Sequence, residues 1–236
     1  MDREEKARFI NRMFASIAGR YDLINTLLSF NRDKGWRRFA VSKAGLKEGF
    51  WALDVATGTG ELALELAREV GPSGRVVGVD FCEEMLQVAR EKVKGGGHEG
   101  QIEFRSGRAE ALPFPEGVFA GATIGFALRN VTDIGTTLRE MGRVVKRGGR
   151  VVVLEFTQPE NPLFRRAYYL YFFRILPFIG GLVSGRKDAY TYLPRSVLAF
   201  PTRAGLKRMM EEAGLRDVAI YALTGGIVAV HVGTRV

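Results

Sequence analysis

A glycine-rich segment near two aspartates has the residue types needed to hold a nucleoside with a charged end. The segment DVATGTG at 54–60 follows a short apolar run, and Asp80 ends the next apolar run along the chain. Glycine lets the backbone turn sharply and lets a ligand approach closely, and the helix expected after Gly60 presents free N–H groups. An acid placed like Asp80 can bind both hydroxyls of a ribose. An acid placed like Asp54 suits a cationic amino-acid end and suits a pyrophosphate poorly.

The same residues also fit less specific interpretations. The spacing Gly58-x-Gly60-x-x-Ala63 satisfies a permissive dinucleotide fingerprint, and Asp80 has the position of an acid at a helix N-terminus. The choice between a dinucleotide and another nucleoside therefore depends on the elements that surround the loop.

Residues 50–157 alternate between apolar runs and stretches of helical periodicity. The runs predicted as strands are 51–56, 75–80, 101–106, 118–126 and 150–156. Apolar residues recur at helical spacing between these runs, and Gly148-Gly149 is predicted to end the last helix. This alternation predicts a parallel, doubly wound sheet.

The two ends of the chain complete the predicted fold. Residues 1–47 are interpreted as an N-terminal helical cap, and residues 158–200 as an aromatic, basic, helical insertion on the substrate side. The runs 217–223 and 227–236 are joined by a short turn, so they must pair antiparallel. The prediction is a single α/β domain over 1–236 that is Rossmann-like, with a mostly parallel seven-stranded sheet and a C-terminal antiparallel hairpin.

The reversed last strand bears on the cofactor. Methyltransferases with a Rossmann-like fold that use S-adenosyl-L-methionine end their sheet with such a strand, whereas a plain NAD domain does not. Together with Asp54, the reversed strand predicts S-adenosyl-L-methionine as the cofactor.

Composition narrows the range of functions. The 236 residues include one cysteine and two histidines, so neither a disulfide nor a metal site is expected. The net charge of +9, from 35 basic and 26 acidic residues, fits an anionic partner or simply a basic surface. The charged N-terminus lacks an apolar signal core, which predicts a cytoplasmic chain. Residues 163–183 are apolar but contain arginines and a proline, so no membrane-spanning helix is expected.

A series of motifs extends over nearly the whole chain, from about 10 to 236. They are IAGRYDLINTLLSF at 17–30, WRRF at 36–39, LDVATGTGEL at 53–62, AEALPFP at 109–115, GFALRNVTD at 125–133, RVVKRGGRVVVLEF at 143–156 and TGGIVAVHVG at 224–233. In this order they resemble the demethylmenaquinone/ubiquinone-biosynthesis C-methyltransferases. AEALPFP and the glycine loop are shared by many small-molecule methyltransferases, whereas RYDLIN, FALRNVTD and the last strand are more specific.

The resemblance implies transfer of a methyl group from S-adenosyl-L-methionine to a ring carbon of a prenylated quinol, with demethylmenaquinol converted to menaquinol as the preferred assignment. Thr59 and Asp80 match the family's cofactor positions directly. Arg108-Ala109 stands where the family usually has Asn or Asp beside Ala, and Gly125 where some members carry Ser. Because the Arg108 side chain can only donate, adenine recognition is expected to rest on the backbone of 107–109. The full predicted cofactor set is Asp54, Ala56, Gly58, Thr59, Gly60, Asp80, Phe81, Arg108, Ala109 and Gly125.

Four polar residues are candidates for the chemistry at the acceptor ring. Arg129 and Asn130 follow the fourth strand, at the sheet edge where ligands bind in such folds, and Tyr21 and Asp22 come from a helix expected to fold over the site. Arg129 would stabilise a phenolate or orient a water, since a guanidinium is a poor base. The alternative for Arg129 is a structural ion pair and a cap on the following helix. Asp22 would act as the base or would cap the helix that it begins.

Other residues with distinctive side chains have simpler interpretations. His231 is expected to be a strand histidine with a structural hydrogen bond, His98 a surface-loop residue and Cys82 a packing residue. The aromatic residues of the insertion are predicted to form a wall for an isoprenoid tail, and its arginines to contact phosphates of an anionic membrane surface. These residues are Tyr168, Tyr169, Tyr171, Phe172 and Phe173, with Arg165, Arg166 and Arg174.

Two other functions stay open on the sequence alone. A methyltransferase acting on RNA or on another small molecule would suit the basic charge. However, the fourth strand lacks an Asn/Asp-Pro-Pro-aromatic motif and Cys82 is on the wrong strand for pyrimidine C5 methylation, so no nucleic-acid partner is expected. A degenerate methyltransferase fold acting as a membrane scaffold would bind no cofactor. The sequence leaves the oligomeric state open, with a homodimer as one arrangement.

Overall fold

The computed structural model of the protein describes residues 3–177 and 187–236. Its helices are α1 Arg3–Ala15, α2 Tyr21–Leu28, α3 Arg32–Ser42, α4 Glu61–Val70, α5 Glu83–Gly96, α6 Ile134–Val144, α7 Pro162–Leu170, α8 Lys187–Ala199 and α9 Arg203–Glu212. Its strands are β1 Trp51–Val55, β2 Arg75–Asp80, β3 Ile102–Ser106, β4 Phe119–Gly125, β5 Val145–Phe156, β6 Leu215–Leu223 and β7 Val228–Arg235.

Within the described residues, the strands form one seven-stranded sheet in the order β3-β2-β1-β4-β5-β7-β6. Strands β1 to β5 pair in parallel, and β7 is antiparallel to both of its neighbours. The predicted mostly parallel sheet with a C-terminal antiparallel hairpin is confirmed. The strand order reverses between β1 and β4, and ligands bind in such sheets beyond the carboxyl ends of the strands at this switch point.

Helices cover both faces of the sheet because their apolar residues fall on one side. In α4, Leu62, Leu66 and Val70 are buried. In β5, all residues over 151–154 are buried, as expected for a parallel strand covered on both faces. Complete burial of one such leucine stabilises the fold by about 1.5–3 kcal/mol. This packing fixes the strand ends that carry the site.

One boundary differs from the prediction. Helix α6 ends at Val144 and β5 begins at Val145, so Gly148-Gly149 lies inside the strand and does not end the helix. A Cβ on Gly149 would lie 2.4 Å from the carbonyl oxygen of Ala120. The glycine therefore permits the close approach of two backbones, at the point where the pairing of β4 with β5 shifts register.

The N-terminal cap and the insertion pack on each other. Ile24 of α2 belongs to one buried cluster with Tyr168 and Phe172 of the insertion. Helix α7 continues into a π-helix over Tyr171–Ile175, and residues 178–186 of the predicted insertion lie outside the described residues. In the described part of the chain, no helix is both long enough and apolar enough to cross a membrane.

Candidate active site

Most of the predicted cofactor residues line one cleft at the carboxyl ends of β1, β2 and β4. This first cleft encloses about 1040 Å³, open solvent included. Nine of the ten predicted residues line it, namely Asp54, Ala56, Gly58, Thr59, Asp80, Phe81, Arg108, Ala109 and Gly125. The tenth, Gly60, precedes α4 with a φ of 80°, and a Cβ there would lie 3.0 Å from the ring of Phe104. Gly60 thus shapes the loop.

Asp54 lies in the centre of the sheet and is 1% exposed. Its carboxylate accepts hydrogen bonds from the hydroxyls of Thr57 at 2.6 Å and Thr123 at 2.8 Å. Burial nevertheless raises the pKa of Asp54 to about 7. A cationic ligand group placed beside this carboxylate would stabilise its ionised form.

The carboxylate of Asp80 joins the end of β2 to the glycine loop. It accepts hydrogen bonds from the backbone N–H groups of Gly58 at 2.8 Å and Cys82 at 2.9 Å, and burial raises its pKa. Because a carboxylate has about four lone-pair sites, acceptor capacity is left for the hydroxyls of a ribose. Asp80 therefore stabilises the start of α5 and also lines the cleft.

A polar network that sequence reasoning missed holds the N-terminal cap against the glycine loop. Asp22 accepts a hydrogen bond from the Thr59 hydroxyl at 2.6 Å and pairs with Lys92 at 2.7 Å. The Lys92 ammonium also contacts Glu61 at 2.6 Å and the carbonyl oxygen of Thr59 at 2.9 Å. Arg20, not Asp22, occupies the N-cap position of α2, so the interpretation of Asp22 as a helix cap is wrong.

The segment 107–109 and helix α1 form another side of the first cleft. Gly107, Arg108 and Ala109 line it together with Ala7 and Ile10. The Arg108 guanidinium pairs with Glu4 at 3.1 Å, and both side chains are largely exposed. Such a pair contributes about 0–1 kcal/mol, but it tethers α1 beside the cleft.

A second cleft, of about 1400 Å³ with open solvent included, adjoins the first. Phe14, Tyr21, Arg37 and Phe126 line both clefts, and these four side chains are called the junction below. Aromatic and aliphatic side chains from the N-terminal cap, the end of β5 and the insertion form most of the remaining wall, among them Ile17, Leu28, Phe30, Trp36, Phe156, Phe164, Tyr168, Phe172 and Leu176. The second cleft therefore suits an apolar ligand next to the ligand of the first.

Arg129 lines the second cleft, and its side chain is 6% exposed. Its guanidinium pairs at 2.7 Å with the fully buried Glu155 of β5 and donates to the carbonyl oxygen of Phe126. Its Nε has no hydrogen-bond partner in the described part of the structure. The alternative of a structural ion pair is realised, whereas α6 is capped by Asp133.

Tyrosine hydroxyls lie near the charge of Arg129. Burial raises the pKa of Tyr21, Tyr168 and Tyr192, and Arg129 opposes the shift in each case. Tyr192 donates at 3.2 Å to the side-chain oxygen of Asn130, which is buried and lines the first cleft. Of the four residues predicted for catalysis, Tyr21, Arg129 and Asn130 line the clefts, while Asp22 is bound to the glycine loop.

The remaining reactive side chains match the simpler interpretations. His231 is fully buried, its Nε2 lies 3.0 Å from the carbonyl oxygen of Arg203, and burial lowers its pKa to about 4. Cys82 is buried, and burial raises the pKa of its thiol to about 12, which makes it unreactive near neutral pH. His98 lies between α5 and β3 and is 2.9 Å from the side chain of Gln101.

Glu155 is the missed residue for which the sequence did carry a signal. It interrupts the apolar run 150–156, and a carboxylate in a buried strand requires a partner. Lys92 carried no such signal, because a lysine on an amphipathic helix is ordinary and its contacts lie far away in the sequence.

The chemistry of the first cleft fits one kind of ligand. Asp54 favours a cationic group, Asp80 retains lone pairs for a ribose, and a Cβ on Gly58 would have no atom within 4 Å, so the loop leaves open space. On a sheet with a reversed last strand, these features define a methyltransferase that uses S-adenosyl-L-methionine. The chain matches the model of the ubiE/COQ5 methyltransferase family over residues 1–235, and it belongs to that family. The predicted family, enzyme class and cofactor are confirmed.

Similar proteins cover the chain almost completely. A protein of Geobacter sp. (strain M21) is 50% identical over 231 residues, which are 98% of each chain. A protein of Escherichia coli O1:K1 / APEC is 44% identical over 233 residues, or 99% of this chain and 93% of that one. Both are named ubiquinone/menaquinone biosynthesis C-methyltransferase UbiE.

Solved structures share the fold at low sequence identity. A SAM-dependent methyltransferase from Aquifex aeolicus has a TM-score of 0.66 and 21% identity, covering 91% of this chain and 98% of that one. A possible histamine N-methyltransferase from Thermotoga maritima has a TM-score of 0.66 and 18% identity, covering 95% of this chain and 99% of that one.

Proposed function

We propose that the protein transfers a methyl group from S-adenosyl-L-methionine to a ring carbon of a prenylated quinol, with demethylmenaquinol, converted to menaquinol, as the first candidate. The observation that carries this proposal is the junction, where a nucleoside-type cleft and an apolar, aromatic cleft share four side chains. An apolar ring in the second cleft would lie beside the methyl donor. The names of relatives at 44–50% identity support this substrate class.

The residues of the first cleft would hold and orient the cofactor. When bound, S-adenosyl-L-methionine supplies an electrophilic methyl group on a sulfonium. Asp54 would hold the ammonium of its amino-acid end, and Asp80 the hydroxyls of its ribose. Thr59, fixed by Asp22, keeps the glycine loop in place. Phe81 and the segment 107–109 would flank the adenine.

In the second cleft the chain shields the ring from bulk solvent, orients it and stabilises charge. Aromatic side chains such as Phe156 and Phe172 supply the apolar wall. Arg129, held by Glu155, would stabilise a ring oxygen as it ionises, which makes the ring carbon nucleophilic. Tyr21 at the junction and the neighbouring Asn130 would align the ring, so that much of the rate comes from proximity and orientation.

The leaving proton is assigned to a water oriented by Arg129, and not to Asp22. Both carboxylate oxygens of Asp22 are engaged, one by Thr59 and one by Lys92, and Asp22 is outside the linings of both clefts. Its role in this proposal is to position the glycine loop.

We also propose that the chain works as one domain that receives its quinol at the cytoplasmic face of an anionic membrane. Phe30 and Phe164 are exposed and line the second cleft. Three arginines of the insertion, Arg165, Arg166 and Arg174, are exposed as well, and the first two follow Phe164 directly in the sequence. Apolar side chains at the cleft with cations nearby suit peripheral contact with such a surface.

An anaerobic methyl-transfer assay tests this function. We expect wild-type protein to transfer label from S-adenosyl-L-methionine to a short-chain 2-prenyl-1,4-naphthoquinol. Asp80→Ala should abolish transfer and weaken cofactor binding at least about tenfold by calorimetry, since each lost charge-assisted hydrogen bond contributes about 1.5–3 kcal/mol. The matched control is Glu69→Ala, an exposed acid on α4. Label in tRNA and none in the quinol would contradict the proposal.

A further inference from the structure

One tyrosine hydroxyl in the second cleft lacks a partner. Tyr168 is 8% exposed, and its hydroxyl forms no hydrogen bond within the part of the chain that the structure describes. The other cleft tyrosines with described side chains have partners, which are Asn25 for Tyr21, the Leu28 carbonyl oxygen for Tyr171 (2.7 Å) and Asn130 for Tyr192 (3.2 Å). A buried hydroxyl without a partner is unfavourable, so its retention calls for an explanation.

The ring of Tyr168 is held in place while its hydroxyl is not. It stacks on Phe172 with 4.8 Å between centroids and 21° between planes. Arg129, whose charge acts on Tyr168, has an Nε that is also buried without a partner. Two unsatisfied donors therefore belong to the same cleft, in which most lining side chains are apolar. Since most of the side chains around it are apolar, a water bound to the Tyr168 hydroxyl would find few of the two to four polar partners that it needs.

We propose that the Tyr168 hydroxyl donates a hydrogen bond to a ring oxygen of the acceptor and thereby selects for an oxygenated ring. This inference rests on the proposed function, because it takes the second cleft as the acceptor site. Burial raises the pKa of Tyr168, so the hydroxyl keeps its proton at neutral pH and acts as a donor, not as a base. A ring without that oxygen would leave the hydroxyl unsatisfied, which discriminates strongly.

The neighbouring Tyr169 provides a matched control. Its hydroxyl donates to the side chain of Gln158 at 2.8 Å, and it lines neither cleft. We expect Tyr168→Phe to weaken binding of 2-prenyl-1,4-naphthoquinol about tenfold, with unchanged affinity for S-adenosyl-L-methionine and an equal or higher Tm. Tyr169→Phe should leave quinol affinity within about twofold and should not raise the Tm, since Gln158 loses its partner.

Two deoxy analogues, each lacking one of the two ring hydroxyls, identify the oxygen. One of the analogues lacks the oxygen that accepts the hydrogen bond from Tyr168. Wild type and Tyr168→Phe should bind that analogue with equal affinity. A Tyr168→Phe protein that binds the quinol like wild type would overturn the inference, and so would a variant that binds both analogues more weakly than wild type does. If wild-type protein neither binds nor methylates the quinol, the proposed function itself is refuted. This result is obtained with wild type alone, so it is distinct from any result with the variants.

Discussion

The carboxyl group of Asp54 is buried between two threonine hydroxyls, and burial raises its pKa to about 7. Ionisation of Asp54 is therefore incomplete near neutral pH unless a cation binds beside it. We expect the affinity of wild type for S-adenosyl-L-methionine to rise up to about tenfold per pH unit below pH 7 and to level off above it. Calorimetry from pH 5.5 to 8.5 measures this, and Asp54→Asn should bind weakly and without that slope.

The same group has the opposite effect on the stability of the free protein. Its folded pKa of about 7 lies above the ordinary value of 3.8, so between these values the unfolded chain loses the proton first. The contribution of Asp54 to stability is therefore complete at low pH and is lost as the pH rises through this window. In urea titrations, the free energy of unfolding of Asp54→Asn should not show this decrease with rising pH. If the variant keeps the wild-type pH dependence of both cofactor binding and stability, the raised pKa of Asp54 is contradicted.

Sequence reasoning picked out residues of recognisable motifs that line the first cleft, and it missed residues whose contacts come from distant parts of the chain. Asp54 lies near the end of the first predicted strand and Asp80 ends the second, so the fold itself dictates their position. The partners of Lys92 come from α2, the glycine loop and α4. No local pattern encodes such contacts, because they exist only once the cap has packed on the sheet.

At the scale of elements, α5 holds α2 over the cofactor loop through one ammonium group. Lys92 binds Asp22, Glu61 and the Thr59 carbonyl oxygen. Because these side chains are a quarter to a third exposed, the pairs add little to global stability. We expect the Tm of Lys92→Met to lie within a few degrees of that of wild type. The variant should release S-adenosyl-L-methionine several-fold faster than wild type does.

Stopped-flow chase experiments measure this release rate. Lys94→Met is the control, since Lys94 is an exposed lysine on the same helix. Equal release rates for wild type and both variants would mean that the cap does not gate the first cleft.

Strands and helices with strong periodicity were predictable, whereas two local adjustments were not. The apolar runs located the strands, because parallel strands buried on both faces need unbroken apolar sequence. The early start of β5 depends on how closely Gly149 approaches Ala120 in another strand. The π-helix at Tyr171–Ile175 was not predictable either, because the buried Tyr168, Phe172 and Leu176 have a four-residue spacing that an ordinary α-helix also places on one face.

For the whole molecule, the exposed apolar side chains beside the second cleft predict membrane contact. Phe30 is 75% exposed and lies 6.0 Å from the ring of Tyr171, which joins the end of α2 to the insertion. We expect sedimentation with vesicles containing anionic lipid and little with neutral vesicles. Phe30→Ser should reduce vesicle binding about fivefold or more, since an inserted phenylalanine contributes about 1.5–3 kcal/mol.

Phe50→Ser supplies the comparison for this experiment. Phe50 is also an exposed phenylalanine, but it precedes β1, at the opposite edge of the sheet. If Phe30→Ser and Phe50→Ser lose vesicle binding to the same extent, the proposed membrane surface is contradicted. Equal binding of wild type to neutral and anionic vesicles would contradict it too.

The junction has a consequence for how the two ligands influence each other. Because Phe14, Tyr21, Arg37 and Phe126 line both clefts, any displacement of these side chains by one ligand alters the space offered to the other. Thermodynamic linkage then requires the effect to be mutual, so that the factor by which the methyl donor changes the affinity for the quinol equals the factor by which the quinol changes the affinity for the donor. With the two ligands placed as proposed, the four side chains would couple two equilibria, and the enzyme's affinity for each ligand would depend on the supply of the other.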